Sequence, residues 1–443
     1  LSIFNDVESS VRSYCRSFPT TFEKASGYRM WDQDGREFLD FFAGAGTLNY
    51  GHNPDDMKWA LIRYLTNDGV AHGLDMQTGA KARFLQKFKD VILEPRGMDH
   101  KVLFPGPTGT NAVETAIKAA RIAKGRDKVV SFTNAFHGMT LGSLSLTGNA
   151  MKREGAGMSL GGDVIRMPFC GYMDDEMDTI DYFERTLGDP GSGIDHPAAV
   201  IVETIQGEGG INVAEYDWLQ RLEGVCRKYD MVFIVDDIQV GCGRTGTFFS
   251  FEHAGISPDI ICLSKSLSGF GLPMAVVLLK PDCDVFEPGQ HNGTFRGNNL
   301  AFVTATQALD RWTNKNFENH INGIAKAMEA KLKSIIADFP ALKGYHKGRG
   351  MMQGISIEPA ELASEISAAA FERGLLIETA GAYDEVVKLL PPLVLDAKGL
   401  DKGISILHDS FAYVTEKHGL DGSKNTSNVL DIKSRANDKR SSA

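Results

Sequence analysis

Cysteine is scarce in this sequence and unpaired in pattern: Cys15, Cys170, Cys226, Cys242, Cys262 and Cys283 are scattered over 443 residues, with no C-x-x-C pair and no His-rich segment at zinc-ligand spacing. A disulfide framework and a metal site are therefore not expected, and the thiols read as reduced. Long apolar runs are missing as well. No window approaches the ~20 consecutive apolar residues that a membrane span needs. The opening LSIFNDVESSVRSYCRS carries charges where a secretory leader would be apolar. A soluble, cytoplasmic protein without a membrane partner is expected. Basic excess is absent too: 47 Lys and Arg against 57 Asp and Glu leave a net charge of −10. A nucleic-acid footprint, which needs a basic face, has nothing at whole-chain level to rest on. No internal repeat is present.

What is present is an ordinary globular composition, 42% hydrophobic and 23% charged, with 47 glycines for tight turns and close backbone approaches. At roughly 100–200 residues per domain, the length suggests two or three units. From 101 to about 280, short apolar runs alternate with helical patterns, the signature of βα units and a largely parallel sheet. Strands are expected at 101–104, 128–132, 199–204, 231–235 and 260–264. Each ends where polar residues begin, and ligand sites in open α/β sheets lie at those carboxyl ends. Ahead of this block, 27–40 (GYRMWDQDGREFLD) has a hairpin pattern turning at Asp34-Gly35. After it, helical patterns at 321–338 and 404–418 mix with strand-like 351–357 and 386–390. The expected organisation is an N-terminal arm (1–60) contributing to a small domain, a large α/β domain (61–312) ending in a linking helical stretch, and a small α+β domain (313–420). The polar tail 421–443 is expected to be disordered.

Three segments carry chemistry. In 104–125 (FPGPTGTNAVETAIKAARIAKG) a Gly/Pro/Thr turn runs straight into an apolar-periodic helix with Gly125 as its C-cap. Free backbone N–H groups at such a helix start cradle an anion, with Gly109 and Thr110 best placed, although an ordinary N-cap has the same look. In 231–239 (MVFIVDDIQ) two carboxylates end an apolar strand, and a period of two sends Asp236 and Asp237 to opposite faces. A carboxylate there can cap a helix, hold a metal or ribose, or pair with a ring nitrogen. In 260–269 (IICLSKSLSG) Lys265 emerges from apolar walls between small serines. Desolvation lowers the pKa of such a lysine and leaves a neutral amine for Schiff-base chemistry; the alternative is a surface lysine snorkelling to water. Together, cradle, carboxylate and lysine are the parts of a pyridoxal phosphate site. A decoy, GCGRTG at 241–246, fits G-x-G-x-x-G but runs into FFSFEH instead of a helix and reads as a turn.

With these residues in place, the chain up to about His418 resembles the class III (omega-amino-acid) aminotransferases, pyridoxal-phosphate enzymes of fold type I. FIVDDIQVGCGRTG is similar to the strand whose first acidic residue pairs with the pyridine nitrogen, which implies that role for Asp236, packing under the ring for Ile238 and a hydrogen bond to its phenolic oxygen for Gln239. LSKSLSGFGLPM resembles the segment bearing the Schiff-base lysine, here Lys265. The resemblance further implies Gly109 and Thr110 at the phosphate, Phe136 of NAFHGMTLG stacked on the ring, and Thr294 of HNGTFRGNN reaching the phosphate of a neighbouring subunit. At least a homodimer is thereby implied, with a tetramer of dimer pairs also open. ETIQGEGG resembles a family stretch that places Glu208 on the substrate side, with Thr204 where proline is usual.

Two departures bear on substrate. Relatives acting on ornithine, acetylornithine or 4-aminobutyrate carry an arginine where this chain has Met139, and another where it has Lys388 in EVVKLLPPL. The carboxylates must then be held differently; Arg296 and Lys152 are candidates between which no spacing selects. Both departures, with ESSVRSYCRSFP, DFFAGAGTLNYGHN and GTFRGNN, resemble the diaminobutyrate branch of the family, which serves ectoine biosynthesis. The expected reaction is transfer of an amino group from L-glutamate to L-aspartate 4-semialdehyde, giving L-2,4-diaminobutyrate and 2-oxoglutarate. Another omega-aminotransferase or an aminomutase would use a closely similar site.

Overall fold

The computed structural model describes residues 2–174 and 177–420, so the tail expected to be disordered lies outside the described residues. Its centre is a seven-stranded sheet. In chain order the strands are β1 Lys101–Leu103, β2 Val129–Phe132, β3 Val164–Met167, β4 Ala199–Val202, β5 Val232–Asp236, β6 Ile260–Leu263 and β7 Val276–Leu279. Their spatial order is β1-β7-β6-β5-β4-β2-β3. Pairings among β3, β2, β4, β5 and β6 are parallel, whereas β7 runs antiparallel to both β6 and β1. The expected strands are all present. Two had no separate expectation: β3, whose VIRM is broken by Arg166, and β7, whose VVLL follows a loop rather than a crossover helix.

Burial on both sides explains the continuous apolar runs of the inner strands. Val232 and Ile234 join Ala199, Ile201, Ile260 and Cys262 on one face, packed on the helix α1 Gly109–Lys124 through Ala112, Ala116 and Ile117. Phe233 and Val235 join Val200, Val202, Ile261 and Leu263 on the other. This alternation aims the last residue of β5, Asp236, toward the α1 face and Asp237 away from it. The start of α1 and the end of β5 are thus brought to one place by sheet geometry alone. Gly125 closes α1 in the left-handed conformation, φ 60°, its N–H donating to Arg121 O at 2.8 Å.

A second, antiparallel sheet has the order Tyr345–Arg349, Met352–Ser356, Val386–Leu389, Glu378–Ala380. It is flanked by α3 Asn316–Asp338, α4 Glu361–Glu372 and α5 Ala397–Lys417, with α2 Asn299–Ala308 leading from the large sheet. The N-terminal hairpin turns as expected between Arg29–Asp32 and Glu37–Asp40, and Glu37–Asp40 pairs in parallel with Leu375–Leu376. The decoy GCGRTG is a run of turns whose Arg244 is fully buried. Its guanidinium donates to Met351 O at 3.0 Å and Pro391 O at 2.6 Å, and also to Asn49 Oδ1, tying three distant segments together. Among the described residues no helix is long and apolar enough to cross a membrane.

Candidate active site

A cavity of about 290 Å³ opens where β5, β6 and the start of α1 converge. Its walls include Gly109, Thr110, Phe136, Glu208, Asp236, Ile238, Gln239 and Lys265, each a residue singled out from the sequence. Thr108 stands at the N-cap of α1 with extended φ and ψ, but its hydroxyl accepts from none of the helix's backbone N–H groups; it donates instead to the Asn111 side chain, Oδ1, at 2.7 Å. The first N–H groups of α1 are left to a ligand, which favours the cradle over the ordinary cap. A Cβ at Gly109 would crowd Ile238, lying 3.0 Å from its Cγ2 and 3.1 Å from its Cδ1. Beside it, Thr110 is bonded to the hydroxyls of Thr140 and Ser143, and Glu114 accepts from Thr140 Oγ1 at 2.6 Å and Ser143 N at 3.0 Å.

At the floor, Asp236 Oδ1 accepts from Ile238 N at 3.2 Å and Oδ2 lies 2.7 Å from His137 Nδ1. His137 was not singled out from the sequence; it is separated from its partner by 99 residues, and only its place beside Phe136 hinted at a site. Asp237 points the other way, accepting from Ser250 N and Oγ, and burial pushes its carboxyl up to about 7. Glu203, also missed, accepts from Phe136 N at 3.0 Å. Burial, reinforced by the nearby Asp236 charge, holds its carboxyl well above the usual range.

Lys265 follows β6 and opens a short 3-10 turn with φ 46°, a left-handed conformation that costs a non-glycine residue energy and is typical of functional positions. That turn carries it into the cavity wall instead of out to water. Its side chain makes no hydrogen bond or ion pair among the described residues, and burial lowers its pKa below the ordinary lysine value.

Across the cavity stands a buried charge cluster. Lys388, fully buried in Val386–Leu389, lies 3.0 Å from Glu208 Oε1 and 2.9 Å from Glu378 Oε1. Glu378 is its cross-strand partner in register, so the pairing is set by the sheet. Burial disfavours the ammonium, but Glu208 and Glu378 outweigh it and raise the Lys388 pKa. Burial likewise opposes ionisation of Glu208, yet Lys388 and Lys265 hold its carboxyl far below the usual range. Glu378 is left raised, since for it burial exceeds the attraction of Lys388. Gln239 Nε2 donates to Glu208 Oε1 at 3.0 Å and to Ala45 O at 3.1 Å, so the nitrogen expected at a ring oxygen is engaged by protein groups.

Thr294 stands apart from these residues. It is exposed on a turn before α2 and does not line the cavity. Arg296 is also outside the walls, its guanidinium donating to Phe104 O at 3.2 Å and His291 O at 3.0 Å. Met139 lines the cavity and offers no charge.

The family described as aminotransferase class III matches residues 12–411. A diaminobutyrate–2-oxoglutarate transaminase of Oceanobacillus iheyensis is 56% identical, covering 94% of this chain and 97% of its own. One from Streptomyces coelicolor is also 56% identical, over 92% and 96%. Among solved structures, the ornithine aminotransferase of Toxoplasma gondii superposes with a TM-score of 0.81 at 26% identity, over 94% of this chain and 95% of its own.

Proposed function

The chain belongs to the class III aminotransferase family, and on that premise we propose that it transfers an amino group from L-glutamate to L-aspartate 4-semialdehyde, forming L-2,4-diaminobutyrate and 2-oxoglutarate. The observation that carries the chemistry is the convergence of an uncapped helix start, a strand-end carboxylate and an unpaired, half-buried lysine on one cavity. The product fits the first step of ectoine biosynthesis.

The family's cofactor is pyridoxal 5'-phosphate, and the residues present fit it. Gly109 and Thr110 would take its phosphate at the free N–H groups of α1, and the glycine leaves room that a Cβ would fill. Asp236, held by His137, would pair with the ring nitrogen, while Phe136 and Ile238 would cover the ring faces. Gln239 would reach the ring's phenolic oxygen only by releasing Glu208 or Ala45. When bound, the cofactor supplies an aldehyde that accepts amines and a ring that stores the electron pair released at the substrate carbon.

The protein's part is positioning and proton transfer. The lowered pKa of Lys265 favours the neutral amine, fit both for covalent attachment and for moving the proton at the substrate carbon. Glu208 masks Lys388 in the arrangement seen. When it swings aside, the ammonium is exposed to a carboxylate on the reacting carbon, which glutamate has and the 4-amino end of diaminobutyrate lacks. Thr294, exposed on its turn, would reach the phosphate of a second subunit in a cytoplasmic homodimer or a pair of such dimers.

The deciding experiment is a half-reaction screen. The cofactor-loaded protein is mixed with glutamate, 2,4-diaminobutyrate, ornithine or 4-aminobutyrate while the bound-cofactor absorption is followed. Fast change with the first two alone is the expected result. Fast change with ornithine or 4-aminobutyrate keeps the family and overturns the substrate. Failure to pass the amino group to a second acceptor would point to an aminomutase.

A further inference from the structure

Outside the cavity that holds Lys265 lies a second chamber of about 470 Å³, and the two share Phe136 and Glu208 in their walls. One side of the outer chamber is the turn and short helix at 148–152, the other the segment 379–384, which runs from the Glu378–Ala380 strand into the turn after it. Its lining contains a single cation, Lys152. The Lys152 ammonium sits 4.3 Å from the centre of the Phe136 ring and has no carboxylate partner among the described residues. The other two cations weighed for this role are committed: Lys388 between two carboxylates, and Arg296 to the carbonyls of Phe104 and His291.

Lys152 is also placed, not merely present. Asn149 Oδ1 caps its helix by accepting from Lys152 N at 3.0 Å. Gly148 N donates to Ala135 O at 2.7 Å, and a Cβ on Gly148 would lie 2.9 Å from Asn134 N, so the turn packs directly on the segment that bears Phe136. A cation resting on an aromatic face is held weakly and exchanges that contact for a carboxylate at little cost.

We infer that Lys152 anchors the carboxylate at the far end of both substrates, the role left open by Met139. This rests on the proposed function. In glutamate, three carbon–carbon bonds separate the reacting C2 from the far carboxyl carbon. In 2,4-diaminobutyrate, three separate the reacting C4 from C1. One fixed cation therefore serves both half-reactions, while the groups on the reacting carbon differ and are handled by Glu208 and Lys388.

The test uses the cofactor-loaded protein and unreactive probes. By calorimetry, glutarate is expected to bind more tightly than butyrate, which lacks the far carboxylate. Lys152→Ala should remove about tenfold of that preference, and Lys152→Arg should retain most of it. In kinetics, the ratio of kcat/KM for glutamate to that for 2-aminobutyrate should fall about tenfold in Lys152→Ala, through KM more than kcat. Unchanged glutarate preference, or equal losses on both amino acids, would overturn the anchor. If the unaltered protein fails to react with glutamate, the proposed function fails instead, and the two failures are distinguishable.

Discussion

At the carboxyl ends of β5 and β6, Asp236 and Lys265 are placed by backbone: strand parity aims the first and a left-handed turn at φ 46° aims the second. Across the cavity Lys388 is placed by charge, between Glu208 and its register partner Glu378. The first arrangement leaves its lysine unpaired and its pKa lowered, and the second leaves its lysine doubly paired and its pKa raised. The two lysines thus have opposite characters: Lys265, half-buried in the cavity wall, is an available amine, and Lys388, fully buried behind Glu208, is a fixed cation. Under the proposed function, the difference assigns bond-making to the sheet end and selection of the carboxylate on the reacting carbon to the ion cluster.

The comparison breaks most sharply at the two lysines. Lys265→Ala is expected to fold and to lose transamination by ~10⁴-fold or more, as removal of both the attachment point and the proton carrier requires. Near-normal turnover in steady-state assays would mean that the unpaired amine is not the reactive one. Lys388→Met should instead act on stability. It strands two buried carboxylates without their cation, an effect of about 3–5 kcal/mol in denaturant melts. The double variant Lys388→Met/Glu378→Gln should recover part of that loss. A Lys388→Met protein as stable as the parent would show that the cluster is not a structural unit.

Smaller effects sharpen the assignment on each side. Asp236→Asn should leave the fold intact and slow the half-reaction with glutamate by ~10²–10³-fold, in the range seen when a preorganised electrostatic partner is removed. An unaffected half-reaction in stopped-flow absorbance would move control of the ring nitrogen to another group. Glu208→Gln should change the glutamate and diaminobutyrate half-reactions unequally, by about tenfold, because only one of them needs Lys388 uncovered. Equal changes would reduce the Glu208–Lys388 contact to a tie between the two sheets.

The sequence shows one side of this comparison far better than the other. Apolar runs ending in DD and SKS are local signals, so β5, β6, Asp236 and Lys265 were legible, as were the turn into α1 and Gly125 at its end. The ion cluster depends on strand register between 378 and 388 and on a loop 180 residues away, which no local pattern records. Glu378 was therefore invisible although Lys388 was not. His137 and Glu203 were missed for the same reason, since their partners come together only when β2, β4 and β5 align. The strand β7 escaped because four apolar residues after a loop do not announce an antiparallel direction.

Asp237 offers the finest test, since it separates what parity does to adjacent carboxylates. Its folded-state pKa near 7 lies above the ordinary value of 3.8, burial being the main cause. Between these values the folded protein keeps a proton that the unfolded chain has released, so this group makes stability fall as pH rises from about 4 to about 7, and leaves it lower above that. Asp237→Asn cannot release a proton, and its amide oxygen can still accept from Ser250 N. The melting temperature of the variant, relative to the parent, should therefore rise across that window by a few degrees, at about 2–4 °C per kcal/mol for a large domain. Other buried carboxyls such as Glu203 and Glu378 titrate in both proteins and cancel in the difference. A flat difference curve would mean that Asp237 is ionised in the fold and that the Ser250 bonds, not burial, set its state.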